Sequence, residues 1–276
     1  MSGMVRKYDL IVPLGYACSC SQTLRRAGLQ LASFPWDWVG VPPPSERCRL
    51  ICDGFRDWMN LEDLKWEGSN DTFGHEEVRN TKTGLIILHD FKQGIPLKEQ
   101  YAEVAEKYAR RIARLDKLLM SARNVLLVTI DAPVTPTPTP PEDCLKAIQT
   151  MSARYPNARF DFLLLHLDAK RTLAERIDET PLPGIRLISF DYRSHAADAP
   201  KYGIEIDALA DFLRREYTVN DYRTKEEIKA HKARRREKHR RKLKSTWATV
   251  GAKNMVHYLV LRLCGAMKEL VNRTTT

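Results

Sequence analysis

The fold predicted by this sequence is an α/β one, a mainly parallel open sheet of about five strands with flanking helices. Three observations carry it. Five short apolar runs are continuous instead of alternating, which suits strands buried on both faces. Segments of helical periodicity lie between them. Strand-like and helix-like stretches also alternate along most of the chain, as in sheets covered by helices on both sides. With 276 residues, 43% hydrophobic and 29% charged, the chain can fill one sizeable core and at most one appendage, which excludes a disordered or collagen-like protein.

The first run is Asp9 to Leu14 (DLIVPL), and Gly15 to Cys18 leads from it into a predicted helix over Ser19 to Ala27. Phe34 to Gly84 departs from the alternation. It holds four of the five tryptophans (Trp36, Trp38, Trp58, Trp66), Pro42 to Pro44, and a helical stretch around Ser45 to Asn60. This reads as an insertion at about 34–84 that caps one edge of the sheet, its tryptophans forming a satellite cluster. The second run is Leu85 to Leu88. A long helix follows over Leu97 to Ala122, with Tyr101, Val104, Tyr108, Ile112, Leu115 and Leu119 at steps of three and four. The third run is Val125 to Ile130. Alternate prolines then predict an extended segment over Pro133 to Pro141, and Glu142 with Asp143 opens a helix to Tyr155. Phe160 to Leu167 is the fourth run, a helix is expected over Ala169 to Asp178, and Ile185 to Phe190 is the fifth run. Ile204 to Tyr217 closes the body as a helix with Ile206, Leu209, Ala210 and Leu213 on one face.

Residues 1–217 therefore read as one domain and 218–276 as an appendage. Residues 223–244 carry 12 basic and 3 acidic side chains, nine of the ten net positive charges of the chain. A partner chosen by charge belongs there. Next to this run, Trp247, Val250, Val256, Leu259, Leu263, Met267 and Leu270 form an apolar stripe, too short and interrupted to span a bilayer but suited to its interface. Residues 223–271 are thus expected to bind an anionic membrane surface. The basic run has no aromatic residue for base stacking, so nucleic acid is the weaker partner. No signal-peptide pattern is read at the N-terminus, so a cytoplasmic location is expected, with residues 223–271 as the basis for a peripheral place at the inner membrane face. Cys18, Cys20, Cys48, Cys52, Cys144 and Cys264 are read as thiols in a reducing compartment.

Each predicted strand ends in groups capable of chemistry: Cys18, then His89 and Asp90, Asp131, His166 with Asp168, and Asp191. In open parallel sheets ligands bind outside the carboxyl ends of strands, near a switch in strand order, so these groups are candidates to converge. Cys18 is the expected nucleophile, because a cysteine near a helix N-terminus meets unpaired N–H groups and a favourable dipole. His89 is the matching base. Adjacent strand residues face opposite ways, so Asp90 turns toward His89 only if the strand breaks there. Asp37, Asp131 and Asp168 are alternative orienters. The cysteine spacings and a solitary His75 do not match zinc modules. Neither a Walker A nor a G-x-G-x-x-G sequence is present, and no cofactor is expected.

Leu14-Gly15-Tyr16-Ala17-Cys18, Ser33-Phe34-Pro35-Trp36-Asp37-Trp38, His89-Asp90-Phe91 and Tyr108-x-Arg110-Arg111-x-x-Arg114-Leu115 resemble the ordered blocks of a bacterial family, the putative papain-like cysteine peptidases, with Trp36 in place of the usual Phe. The likeness runs from about Tyr8 to Asp131. It implies a Cys18 nucleophile, a His89 base and an acidic partner such as Asp90. It also offers a papain-like α+β fold as the alternative architecture. Two enzymatic readings follow. One is a cysteine hydrolase or acyl transferase acting on a carbonyl group. The other is a non-covalent enzyme or accessory protein of glycan assembly, in which His89, Asp37 and the Arg110, Arg111, Arg114 cluster hold a phosphorylated substrate, with Asp131 a further binding residue. A pure binding module is a third.

Overall fold

The computed structural model describes residues 5–15, 18–40, 42–71, 74–131, 137–192 and 206–241, without 231, 235, 238 and 239. The elements run β1 (Arg6–Tyr8), β2 (Leu10–Pro13), α1 (Cys18–Arg26), a 3₁₀ turn (Pro35–Trp38), β3 (Val39–Gly40) and α2 (Pro44–Cys52). Next come β4 (Leu64–Asn70), β5 (His75–Asn80), β6 (Ile86–Lys92), α3 (Leu97–Ser121), β7 (Asn124–Ile130), α4 (Pro141–Arg154) and β8 (Arg159–Leu167). The body closes with β9 (Ile177–Glu179), β10 (Ile185–Phe190), α5 (Ile206–Glu216) and β11 (Tyr217–Val219). The chain divides into two units, Met1–Tyr222 and Arg223–Thr276.

Four of the five apolar runs form the predicted parallel sheet. Its order is β2-β7-β8-β10-β9, with β2, β7, β8 and β10 parallel and only the short β9 antiparallel. Both faces are covered, which is why these runs do not alternate. Leu24 of α1, Ala27 just after it, and Leu209 and Leu213 of α5 pack on one face beside Leu126, Val128, Leu163 and Leu165. Val104, Tyr108 and Leu115 of α3 and Ala147 and Met151 of α4 share the other core with Val125, Leu127, Phe162 and Leu164.

The second run departs from the expectation. Leu85 to Leu88 belongs to β6, and β6 lies in a separate antiparallel sheet of order β3-β6-β5-β4. The reason is the connection: β5 and β6 are joined by the five residues 81–85, and so short a link permits only antiparallel pairing. The insertion therefore extends through Lys92, and its tryptophans split. Trp36 and Trp58 are sealed into the main core against Phe55 and Tyr108, whereas Trp66 is 64% exposed. A strand order that advances without reversal from β2 to β10 also removes the switch-point crevice.

The helix expected over Ala169 to Asp178 is absent. Asp168 accepts from the Lys170 N–H at 3.0 Å and the Arg171 Nε–H at 2.8 Å, and Thr172 and Glu175 cap one another across a single turn. Such side-chain bonds compete with helix continuation, and the chain goes on to add β9 onto β10. In the second unit, residues 225–230 are helical, opened by Thr224 and Glu227 in a reciprocal capping box. The apolar stripe predicted over 246–271 and residues 133–136 of the alternating-proline segment lie outside the described residues. Among the described residues no helix is long and apolar enough to cross a membrane.

Candidate functional site

Cys18 is the first residue of α1 and half-buried. Its position follows from Gly15. Strand β2 runs beside β7, with the Leu14 N–H bonded to the Val128 carbonyl at 2.7 Å. A side chain at Gly15 would put its Cβ 2.4 Å from the Cys20 Cβ, so glycine alone lets the chain turn into α1 so close to the strand. The helix ends at Gly28, whose φ of 75° and N–H bond to Arg25 complete the cap. Burial pushes the Cys18 thiol up, while the N–H groups of Cys18 and Ser19 act on the sulfur in the opposite sense. Cys20 is fully enclosed, and burial pushes it up to about 12.

The 3₁₀ turn joins this helix to His89. Asp37, fully buried within it, accepts from Ser21 Oγ (3.1 Å), Gln30 Nε2 (2.7 Å), the Phe34 N–H (3.1 Å) and the Arg25 guanidinium. The turn is thereby fastened to α1. On its other side Trp38 meets the His89 ring edge-on at 5.5 Å, and His75 of β5 meets the same ring at 5.8 Å. Burial lowers the His89 pKa, the neighbouring His75 lowers it further, and Asp90 opposes both. His89 is thus held toward its neutral, proton-accepting form. His75 Nδ1 is itself buried without a hydrogen-bond partner among the described residues.

The β5–β6 register shifts between Ile87 and Phe91, across His89 and Asp90, and the Asp90 carboxylate meets α3. It accepts from Lys107 Nζ (2.8 Å) and Tyr108 Oη (2.5 Å) and lies 3.6 Å from Arg111. The three arginines expected to act together serve different partners. Arg110 pairs with Glu106 on the exposed side of α3, Arg111 is buried beside Asp90, and Arg114 donates to the Ser33 carbonyl at 2.9 Å. Asp168 is engaged by Arg171. Asp131, at the end of β7, stands 3.1 Å from His166 Nε2 and accepts from Thr139 N and Oγ1, both at 2.8 Å. In the sequence His166 stands out only as a strand end, and His75 and Trp38 do not stand out as site residues. Pairing across a hairpin or between parallel strands leaves no local spacing to find. No group of three or more metal-binding side chains is assembled among the described residues.

Residues 9–169 match the family described as "Putative papain-like cysteine peptidase". The chain belongs to that family. The matched span contains Cys18, Trp38, His75, His89, Asp131 and His166. A relative from Acanthamoeba polyphaga mimivirus, named Uncharacterized protein R408, is 24% identical over 136 residues, 43% of this chain and 60% of the relative. The chain thus spans about three-fifths of that protein's length. No solved structure matches. The family's papain-like label is accompanied here by a mainly parallel main sheet, with antiparallel pairing among the described strands confined to the insertion and to β9.

Proposed function

We propose that this papain-like cysteine peptidase family member is a cysteine-dependent hydrolase or acyl transferase acting on a carbonyl substrate. The observation that carries the reading is Cys18 as the opening residue of α1, where the sulfur stands at a helix N-terminus. In this reading Cys18 Sγ attacks the carbonyl carbon as its proton passes to His89. The oxyanion develops at the helix N-terminus, where amide donors are fixed before the reaction starts. A raised thiol and a lowered imidazole support a resting state in which both are neutral. The base then takes the proton while the C–S bond forms, a general-base route in place of a preformed ion pair.

Turnover of p-nitrophenyl acetate, with release of p-nitrophenolate, tests the reading. Cys18→Ser is expected to abolish protein-dependent turnover, and His89→Gln to lower it by roughly a hundredfold. Wild-type rates in Cys18→Ser would overturn the nucleophile.

A further inference from the structure

Asp131 and His166 end neighbouring parallel strands, and the Asp131 N–H bonds the Leu165 carbonyl at 2.9 Å, so the two residues sit side by side at the carboxyl edge of the sheet. His166 Nε2 is 3.1 Å from Asp131 Oδ2 and 3.1 Å from the Thr139 carbonyl. Both are acceptors, so Nε2 carries the proton. The Asp131 side chain is 7% exposed and that of His166 is 21% exposed. Nδ1 has no hydrogen-bond partner among the described residues, nor is it one of the sealed polar atoms. A buried carboxylate thus orients an imidazole whose second nitrogen is left for a ligand. The turn into α1 begins at the same edge: a Cβ on Gly15 would lie 3.5 Å from the Ile130 N–H nitrogen, one residue before Asp131.

We propose that His166, clamped by Asp131 and the Thr139 carbonyl, is the proton donor to the leaving group of a substrate bound at this edge. The inference rests on Cys18 being the nucleophile and adds a second histidine to that chemistry. Burial presses His166 toward neutrality, but the hydrogen bond and charge of Asp131, the Thr139 carbonyl and the charge of Glu179 on β9 together outweigh it and raise its pKa. On β10 it is opposite Ser189, which is uncharged. The two histidines are therefore pushed apart, His89 down and His166 up, as a base and an acid serving one reaction require.

The adduct on Cys18 holds an electron pair on the former carbonyl oxygen. As the C=O double bond re-forms, the bond from carbon to the leaving oxygen or nitrogen breaks, and that atom takes the Nδ1 proton of the His166 imidazolium. The products are a Cys18 thioester, a neutral alcohol or amine, the His89 imidazolium that holds the former thiol proton and releases it to water, and a neutral His166 that regains its proton from bulk water.

Two esters that differ in their leaving group test this on the full chain. p-Nitrophenolate leaves unaided, whereas the more basic phenolate benefits from a proton. His166→Gln is expected to slow turnover of phenyl acetate about tenfold or more while changing p-nitrophenyl acetate by less than about twofold. Equal losses on both esters, or none on either, overturn the proposal. Should Cys18→Ser turn over both at the wild-type rate, or the wild type turn over neither, the nucleophile reading fails and the donor role with it. An NMR titration of the ring protons tests the donor independently of activity. His166 is expected to titrate above the ordinary histidine range and to fall in Asp131→Asn, which keeps the ring in place if His166→Gln does not fold. A His166 that titrates at or below that range overturns the donor role.

Discussion

Replacing His75 by Gln removes an imidazole from beside His89 and leaves an amide of similar reach. The His89 titration is then expected to move up toward the ordinary histidine range, followed by NMR, because a like charge has gone while burial remains. An unchanged titration would leave His75 without influence on the base. The shift at His166 has the opposite sign and a consequence for stability. Its folded pKa is raised, so the stability it contributes is fully present below the unfolded value of about 6.5 and is lost as pH rises through the folded value. His166→Gln should therefore cost more stability near about pH 6 than near about pH 9, by urea denaturation at each pH. The position of Cys18 at the start of a helix was legible from strand, glycine and helix read in sequence, because it is set by its own neighbours. His75 was not, because its significance comes from a ring on the next strand.

At the scale of elements, the Asp37 hub decides whether α1 and the 3₁₀ turn stay together. Asp37→Ala orphans donors from Ser21, Gln30 and Phe34 and leaves Arg25 without its buried partner. A loss of about 3 kcal/mol or more is expected in chemical denaturation. Iodoacetamide labelling of Cys18 should change with it, since the helix that positions the sulfur is freed. From sequence Asp37 reads as an orienter of His89 or as a substrate-binding residue; in the structure its four donors fasten the turn to α1. The parallel sheet was legible because burial on both faces suppresses alternation in β2, β7, β8 and β10. The same continuity misled at Leu85 to Leu88, where the length of the preceding turn, and not apolarity, sets the direction of pairing. At residues 169–178 the helical spacing was outweighed by Asp168, Thr172 and Glu175, whose short-range bonds close turns.

For the whole molecule, the concentration of positive charge in 223–244 leads to a prediction about location. The described part of that run presents Lys225, Lys229, Lys232 and Arg236 on a mostly exposed helical stretch. Together with the apolar stripe in the sequence after it, this is expected to hold the protein on anionic vesicles, weakly in high salt and not at all without residues 223–276. Co-sedimentation with anionic and neutral vesicles checks it, and equal partitioning to both would sink the idea. The body carries its own constraint on how it is made. Strand β1 pairs in parallel with β11, and Asn220 reaches back to Asp9 across 211 positions at 2.7 Å. During synthesis the first strand therefore waits, edge exposed, until nearly the entire body has left the ribosome. The parallel strands behind it pair only as each crossover is completed, a slow, long-range assembly. A nascent chain halted after β8 would hold the matched family region, and with it every residue of the candidate site, on a sheet whose last strands and closing helix do not yet exist. Candidate-site residues encoded in the first two-thirds of the chain thus share a body whose first strand is locked down only by the last third.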